Sequence, residues 1–447
     1  MPQTKPSQEK VDITDIIDDA PFGKFHILVM LLCGLIAMLD GFDTQSIAFV
    51  APVIGKSWAL KAGAFGPIFA AGLFGLMIGQ FFLGPVSDRY GRRLVILFST
   101  LVFSIFTLMT AYASNVPELL TLRFLTGIGL GGAMPNIIAL TSEFAPKRLR
   151  ATMVTIMFGG FPLGAVIGGY ISSFLIPAYG WQSVFYLGGI APLVLLVALY
   201  FLLPESVHHH TLSGKHNDKI RKTLAQVHPK HAPAQDAVFI LNEPALAGLS
   251  FQHLFLENRA TKTLLLWVSY FMSLLMIYFL MLWLPTILTK SGMTLDIGIK
   301  SAVFLNLGGM IGGIVIGQCI DRFNPFTVLA SGYALAGLCI ASIGFVGHST
   351  VLLMCVVFMA GFFVLGAQTA MNAVVTSLYP ARIRSTGLGS ALAVGRIGSI
   401  VGPVAGGILL AAAMPVQNIF IACAVPTIIA CLALLLLKKN IAKQSTN

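Results

Sequence analysis

Charge is what this chain has least of. Only 10% of its 447 residues are Asp, Glu, Lys or Arg, against about a quarter in an ordinary soluble domain. With 56% hydrophobic residues, it carries more apolar surface than a water-soluble fold of this length encloses. Long polar stretches are also scarce, and apolar runs of about 20 residues, a bilayer's thickness at helical rise, follow one another. Barrel strands would alternate apolar and polar residues over about ten positions, and that pattern is missing. The first 22 residues are polar and acidic ("VDITDIIDDAP"), without the basic start and short apolar core of a cleavable leader. The first span is therefore expected to insert as a true helix. Cysteines are few: Cys33, Cys319, Cys339, Cys355, Cys423 and Cys431 fall singly in apolar runs. With no CxxC or Cys/His spacing, they read as small buried hydrophobes and not as disulfide or zinc frameworks. HExxH, a nucleophile paired with a base, and a phosphate-binding loop are all missing. No enzyme, ATP-driven pump, cofactor or metal site is implied.

What is present is a series of twelve spans, near 26–51, 65–86, 94–114, 118–140, 151–176, 184–203, 263–288, 298–320, 327–346, 350–372, 388–411 and 417–437. The expected fold class is all-α integral membrane. The expected domains are a cytoplasmic N-terminal segment 1–25, a six-helix bundle 26–203, a central loop 204–262, a second six-helix bundle 263–437 and a tail 438–447. The net charge of +11 is an orientation signal, not a nucleic-acid signal. Arg89, Arg92, Arg93, Lys147, Arg148, Arg150, Arg322, Arg382, Arg384, Lys438, Lys439 and the central loop hold most of the basic residues, all in alternate connections. The positive-inside rule then places both termini and the central loop in the cytoplasm. Seven of the nine histidines lie between His208 and His253 and read as a solvated loop. His26 and His348 mark span ends, so no histidine stands mid-membrane as a proton relay.

The two halves repeat. "GPVSDRYGRR" (84–93) follows span 2 and "GQCIDRFNPF" (317–326) follows span 8. "APKRLRAT" (145–152) follows span 4 and "YPARIRST" (379–386) follows span 10. Both pairs share an offset of about 234 residues, the mark of a duplicated six-helix unit with a binding site at the interface of its copies. Gly84 and Gly317 are expected to let helices approach closely. Asp88 and Asp321 are acids in basic turns, placed to face a helix N-terminus or an arginine of the other half. Arg384 is a candidate partner. With Arg89, Arg92, Glu143 and Arg148 they form a candidate cytoplasmic gate. Topology alone accounts for part of the arginines but not for the acids among them.

These motifs, with "LPES" (203–206) and "RIRSTG" (382–387), resemble the major facilitator superfamily. "DGFD" (40–43) and "VGRIGSIVGP" (394–403) narrow the resemblance to the aromatic acid:proton symporter family. It implies twelve helices in two pseudo-symmetric bundles. It also implies proton-coupled uptake of a benzoate- or hydroxybenzoate-type acid across a bacterial inner membrane, by a protein functional as a monomer. The "NPF" of the second copy departs from the family pattern, where a glycine and basic residues are expected. Benzoate, 4-hydroxybenzoate, protocatechuate, vanillate and a muconate-like diacid all stay open as substrates, as do an exporter and a non-transporting aromatic-acid sensor.

Where the repeat breaks, function is expected. A carboxylate at the bilayer centre costs about 2.5–3.5 kcal/mol on insertion scales, yet span 1 carries both Asp40 and Asp43, with no acid at the equivalent positions of span 7. Three residues apart, they share a helix face. Like charges this close do not both ionise cheaply in a low dielectric, which is the property a proton-coupling site uses. Gly41 between them allows a neighbouring helix to approach. Arg123 in span 4 lies at a similar depth, so a switchable Asp43–Arg123 or Asp40–Arg123 pair is expected; the alternative is a static pair that fixes packing. Arg396 in span 11 aligns with Pro162 in the repeat and has no acid in its own span. Its planar fork suits a substrate carboxylate, the alternative being helix carbonyls or a cytoplasmic-side acid such as Asp321. Tyr270 and Tyr278 share a face of span 7 and are candidates to stack on a ring. Gln368, Asn372, Asn136 and Asn306 are candidates to bind a ring hydroxyl, although each such residue more often packs helices.

Overall fold

Among the described residues, twelve helical segments are long and apolar enough to cross a membrane. The computed structural model describes residues 10–61, 63–212, 217–229, 238–240, 254–255, 259–346, 349–379 and 384–445. The first bundle contains α2 (Lys24–Ser57), α3 (Phe65–Tyr90), α4 (Arg92–Thr110), α5 (Val116–Phe144), α6 (Arg150–Phe158), α7 (Gly160–Tyr179) and α8 (Gln182–Leu202). Helices α6 and α7 form one span interrupted at Gly159. The second bundle contains α11 (Ala260–Lys290), α12 (Leu295–Arg322), α13 (Pro325–Ile343), α14 (Thr350–Leu378), α15 (Arg384–Ala411) and α16 (Val416–Ser445). Side-chain caps start several of them. Asn115 accepts from the Glu118 N–H, Asn324 from Thr327, and Ser349 from Leu352, each satisfying a donor the helix leaves open.

The apolar core shows how the bundles sit. At the end away from the termini, one continuous cluster draws on both halves, from Phe49 and Phe69 to Trp283, Ile299 and Phe420. At the termini end the core divides. Ile36, Ile137 and Leu199 belong to a cluster of the first bundle, and Tyr333, Met371 and Leu434 to a separate cluster of the second. Burial along the two central helices follows the same division. Every residue of α2 from 40 to 51 and of α11 from 279 to 288 is buried, so these stretches are enclosed on all sides. The bundles meet closely at this far end: a Cβ at Gly63 would lie 2.6 Å from the Gly407 carbonyl oxygen. Phe69 and Trp283 pack edge to face across the same junction, 5.1 Å between centroids.

The central loop differs from expectation. It contains α9 (Val207–Leu212), α10 (Asn217–Val227) and β2 (Val238–Ile240). Ile220, Leu224 and Val227 recur at helical spacing and are buried against Ile13 and Ile17 of α1 (Ile13–Asp18). Strand β2 pairs in parallel with β1 (Lys10–Asp12). The N-terminal segment and the chain leaving α8 thus form one layer beneath the first bundle. The histidine run belongs to it and is not a free loop. His228, at the end of α10, is buried too, its N–H bonded to the Leu224 carbonyl at 2.7 Å, whereas His216, His231, His253 and His348 lie outside the described residues.

Candidate functional site

Asp43 lies midway along α2, fully buried, and Arg123 reaches it from α5. The Arg123 Nη2 donates to Asp43 Oδ2 at 2.7 Å and Nη1 to Oδ1 at 3.2 Å, while Nη2 also lies 3.3 Å from the Asp43 carbonyl oxygen. The Thr107 hydroxyl from α4 donates to Asp43 Oδ1 at 2.7 Å. Phe185 lies beneath the guanidinium, 5.9 Å from its ring centroid. Of the two pairings the sequence allowed, the structure forms Asp43–Arg123. Bidentate geometry and extra donors are what a buried ion pair requires to offset desolvation.

Asp40 is equally buried and differently served. Its Oδ1 accepts from the Thr44 hydroxyl at 3.2 Å, one turn on, and its Oδ2 has no hydrogen-bond partner among the described residues. The charges acting on it are Asp43 on its own helix and Arg396 from the second bundle. Helix α2 lies tight against α7 here, since a Cβ at Gly41 would lie 1.9 Å from the Phe161 carbonyl oxygen.

Arg396 is half-buried on α15 and donates from Nη1 to the Tyr278 hydroxyl at 3.2 Å. Among the described residues no carboxylate stands within ion-pair distance of it. Its fork is thus anchored on one side by a phenol and held near a carboxylic acid of the opposite bundle. Deeper in the second bundle, the Tyr333 hydroxyl donates to Ser273 Oγ at 2.8 Å and lies 3.5 Å from Gln368 Oε1. Tyr270, fully buried, donates to Asn372 Oδ1 at 2.8 Å. Thr107, Tyr333 and Ser273 escaped the sequence reading, because a hydroxyl in an apolar helix carries no charge signal.

Two asparagines are otherwise engaged. Asn136 donates to the Gly132 carbonyl of its own helix at 2.8 Å. Asn306 donates to Gln45 Oε1 at 2.9 Å and to the Ala302 carbonyl at 2.8 Å.

Near the termini end, Arg92 and Glu143 pair at 2.6 Å, with His208 Nδ1 3.6 Å from the same carboxylate oxygen. Arg150 pairs with Asp18 at 2.5 Å. Glu205 of "LPES" accepts from the Arg93 N–H at 3.1 Å, a carboxylate at the start of α4 where the helix dipole favours it. These contacts knit the first bundle to its own flanking segments. Arg89 lies over the Tyr90 ring, Arg148 is exposed, and Asp321 is exposed at the end of α12. The side chains of Asp88 and Arg384 lie outside the described residues. Gly84 and Gly317 do not bring helices together in this conformation, since a Cβ on either would meet nothing within 4 Å.

Comparison with known proteins identifies the family. The family model described as Major Facilitator Superfamily matches residues 33–394 and 334–447. A gallate transporter of Pseudomonas putida is 41% identical over 431 residues, 96% of each chain. The 4-hydroxybenzoate transporter PcaK of Pseudomonas aeruginosa is 38% identical over 439 residues, again 96% of each. The xylose transporter XylE from E. coli, in a partially occluded inward open conformation, superposes with a TM-score of 0.71 over 92% of this chain and 97% of that one. At 16% identity it speaks for the fold alone.

Proposed function

Because this chain belongs to the major facilitator superfamily, we propose that it takes up a ring-hydroxylated aromatic carboxylate together with protons, by alternating access. It is a multi-pass membrane transporter and not an enzyme. The observation that carries the reading is Arg396, a guanidinium half-buried in a membrane-crossing helix, tethered by Tyr278 and without an ion-pair acid among the described residues. An unmatched cation at that depth is costly, and a planar carboxylate is the anion whose two oxygens its fork fits. Tyr278 offers ring and hydroxyl beside that seat. Gln368 and Asn372, held by Tyr333 and Tyr270, supply amides suited to a ring hydroxyl. The named relatives carry gallate and 4-hydroxybenzoate, both hydroxylated benzoic acids.

Asp40 and Asp43 supply the coupling. Protonating Asp43 weakens its pair with Arg123 and frees α2 to move against α5. Asp40, with one oxygen unpartnered and Arg396 nearby, links proton occupancy to the substrate seat. The termini face the cytoplasm of a bacterium, whose inner membrane holds the protein. The divided near-end core is then the opening to the cytoplasm. An anion entering a negative interior works against about 2.3 kcal/mol per 100 mV; one accompanying proton makes the step electroneutral.

Purified protein in proteoliposomes tests this with radiolabelled 4-hydroxybenzoate and an acidic exterior. Accumulation that collapses with a protonophore, and is lost in Arg396→Ala, is the expected result. Saturable binding without flux would make the protein a sensor, and accumulation indifferent to the pH gradient would remove the coupling role.

A further inference from the structure

Gln45 on α2 is fully buried, two residues beyond Asp43 and in the stretch enclosed on all sides. Its carboxamide reaches across to the second bundle with both of its ends. Nε2 donates to the Met281 carbonyl of α11 at 3.2 Å, and Oε1 accepts from Asn306 Nδ2 of α12 at 2.9 Å. Apolar contacts at this junction, such as Phe69 on Trp283, fit by shape and are indifferent to small sliding. A two-ended amide bridge is directional, and separating the bundles leaves buried donors and acceptors unmatched. The bridge is also incomplete: Asn306 Oδ1, buried, has no partner among the described residues. A fully satisfied network would lock the junction, whereas a partly satisfied one holds it reversibly.

We infer that Gln45 is the positioning residue of the transport cycle, a latch that holds the far end shut and ties that closure to the segment of α2 bearing the two acids. Asp43 is fixed by Arg123 and Thr107 of the first bundle, and Gln45 follows it by half a helical turn. Release of Asp43 from Arg123 therefore shifts the carboxamide relative to Met281 and Asn306 and breaks the bridge. Among the described residues, Asp40, Asp43, Arg123 and Arg396 are the charged groups facing this part of α2, and Gln45 transmits their state without titrating. The inference rests on alternating access and not on which acid is carried.

The test reads conformation and needs no substrate. Spin labels are placed at Ser57 and Ser291, on the far ends of α2 and α11, in protein whose six cysteines are replaced by alanine and which is held in nanodiscs. A second pair at Tyr90 and Phe323 reports the near end. Gln45→Leu, which keeps the volume and loses the bridge, is expected to raise the far-open to far-closed ratio by about fivefold, the effect of roughly one net hydrogen bond. The near-end distance should shorten reciprocally. Asn306→Leu should act in the same direction, and the double variant should add little to either single one, since both remove one unit. Asn306→Leu alone decides the matter if Gln45→Leu does not fold. Unchanged far-end distances, or lengthening at both ends together, would overturn the inference. Failure of 4-hydroxybenzoate uptake would leave it standing.

Discussion

Arg396 and Tyr278 meet at 3.2 Å, guanidinium to phenol, on helices α15 and α11 of the same bundle. The contact orients one edge of the fork and leaves the other for an anion. Arg396→Ala is expected to weaken binding of 4-hydroxybenzoate at least about 100-fold, the scale of a lost charge-assisted pair. Tyr278→Phe should cost about three- to tenfold, because the charge remains and only its orientation loosens. Arg396→Lys should fall between them. Isothermal titration in detergent distinguishes the three, and full affinity in Arg396→Ala would remove the carboxylate seat.

Asp43→Asn leaves the Arg123 cation buried with a neutral partner. Breaking a buried pair from one side costs about 3–5 kcal/mol. The apparent melting temperature of the solubilised protein should fall clearly. Adding Arg123→Leu to Asp43→Asn should recover part of the loss, since the orphaned charge is then gone. A double variant less stable than the sum of the singles would contradict a direct pair.

Glycine substitutions should sort by place and not by motif. Gly41→Ala puts a methyl 1.9 Å from the Phe161 carbonyl oxygen, so α2 and α7 must separate beside the acids. Strong destabilisation and loss of uptake are expected. Gly84→Ala and Gly317→Ala meet open space and should change stability by no more than about 0.5 kcal/mol. Equal losses at all three positions would show that the space beside Gly84 and Gly317 is not open.

The layer beneath the first bundle is testable by protease. Ile220 and Leu224 are buried against α1, so α10 should resist cleavage at Lys219 and Arg221 while docked. Leu224→Asp should expose both sites and raise the cleavage rate at least about tenfold, consistent with a buried charge costing more than 1.4 kcal/mol. Rapid cleavage of the unaltered protein there would refute the docking.

Much of this was legible in the sequence because membranes make charge conspicuous. Asp40, Asp43, Arg123 and Arg396 interrupt apolar runs, and their cost alone marks them. The repeat offset pointed to two halves and, by its failures, to the candidate site. Neutral groups gave no such signal. Gln45 reads as one more polar residue in a span, and Thr107 as an ordinary helix hydroxyl, although both hold the central contacts of α2. Asn306 was legible as polar but not as a bridge, since its partner lies 261 positions away. The docked α10 did carry a signal, the spacing of Ile220, Leu224 and Val227, which the surrounding polar residues obscured. Gly84 and Gly317 mislead in the other direction: the motif suggests contact, and this conformation leaves them bare.

The apolar core is shared at one end and split at the other, so the two faces of the protein offer different targets to a binder. A synthetic antibody that straddles both halves on the termini side would recognise one spacing of the bundles and arrest the carrier there. One raised against the opposite face would find a single seamless surface and would have to pry it apart to report any change.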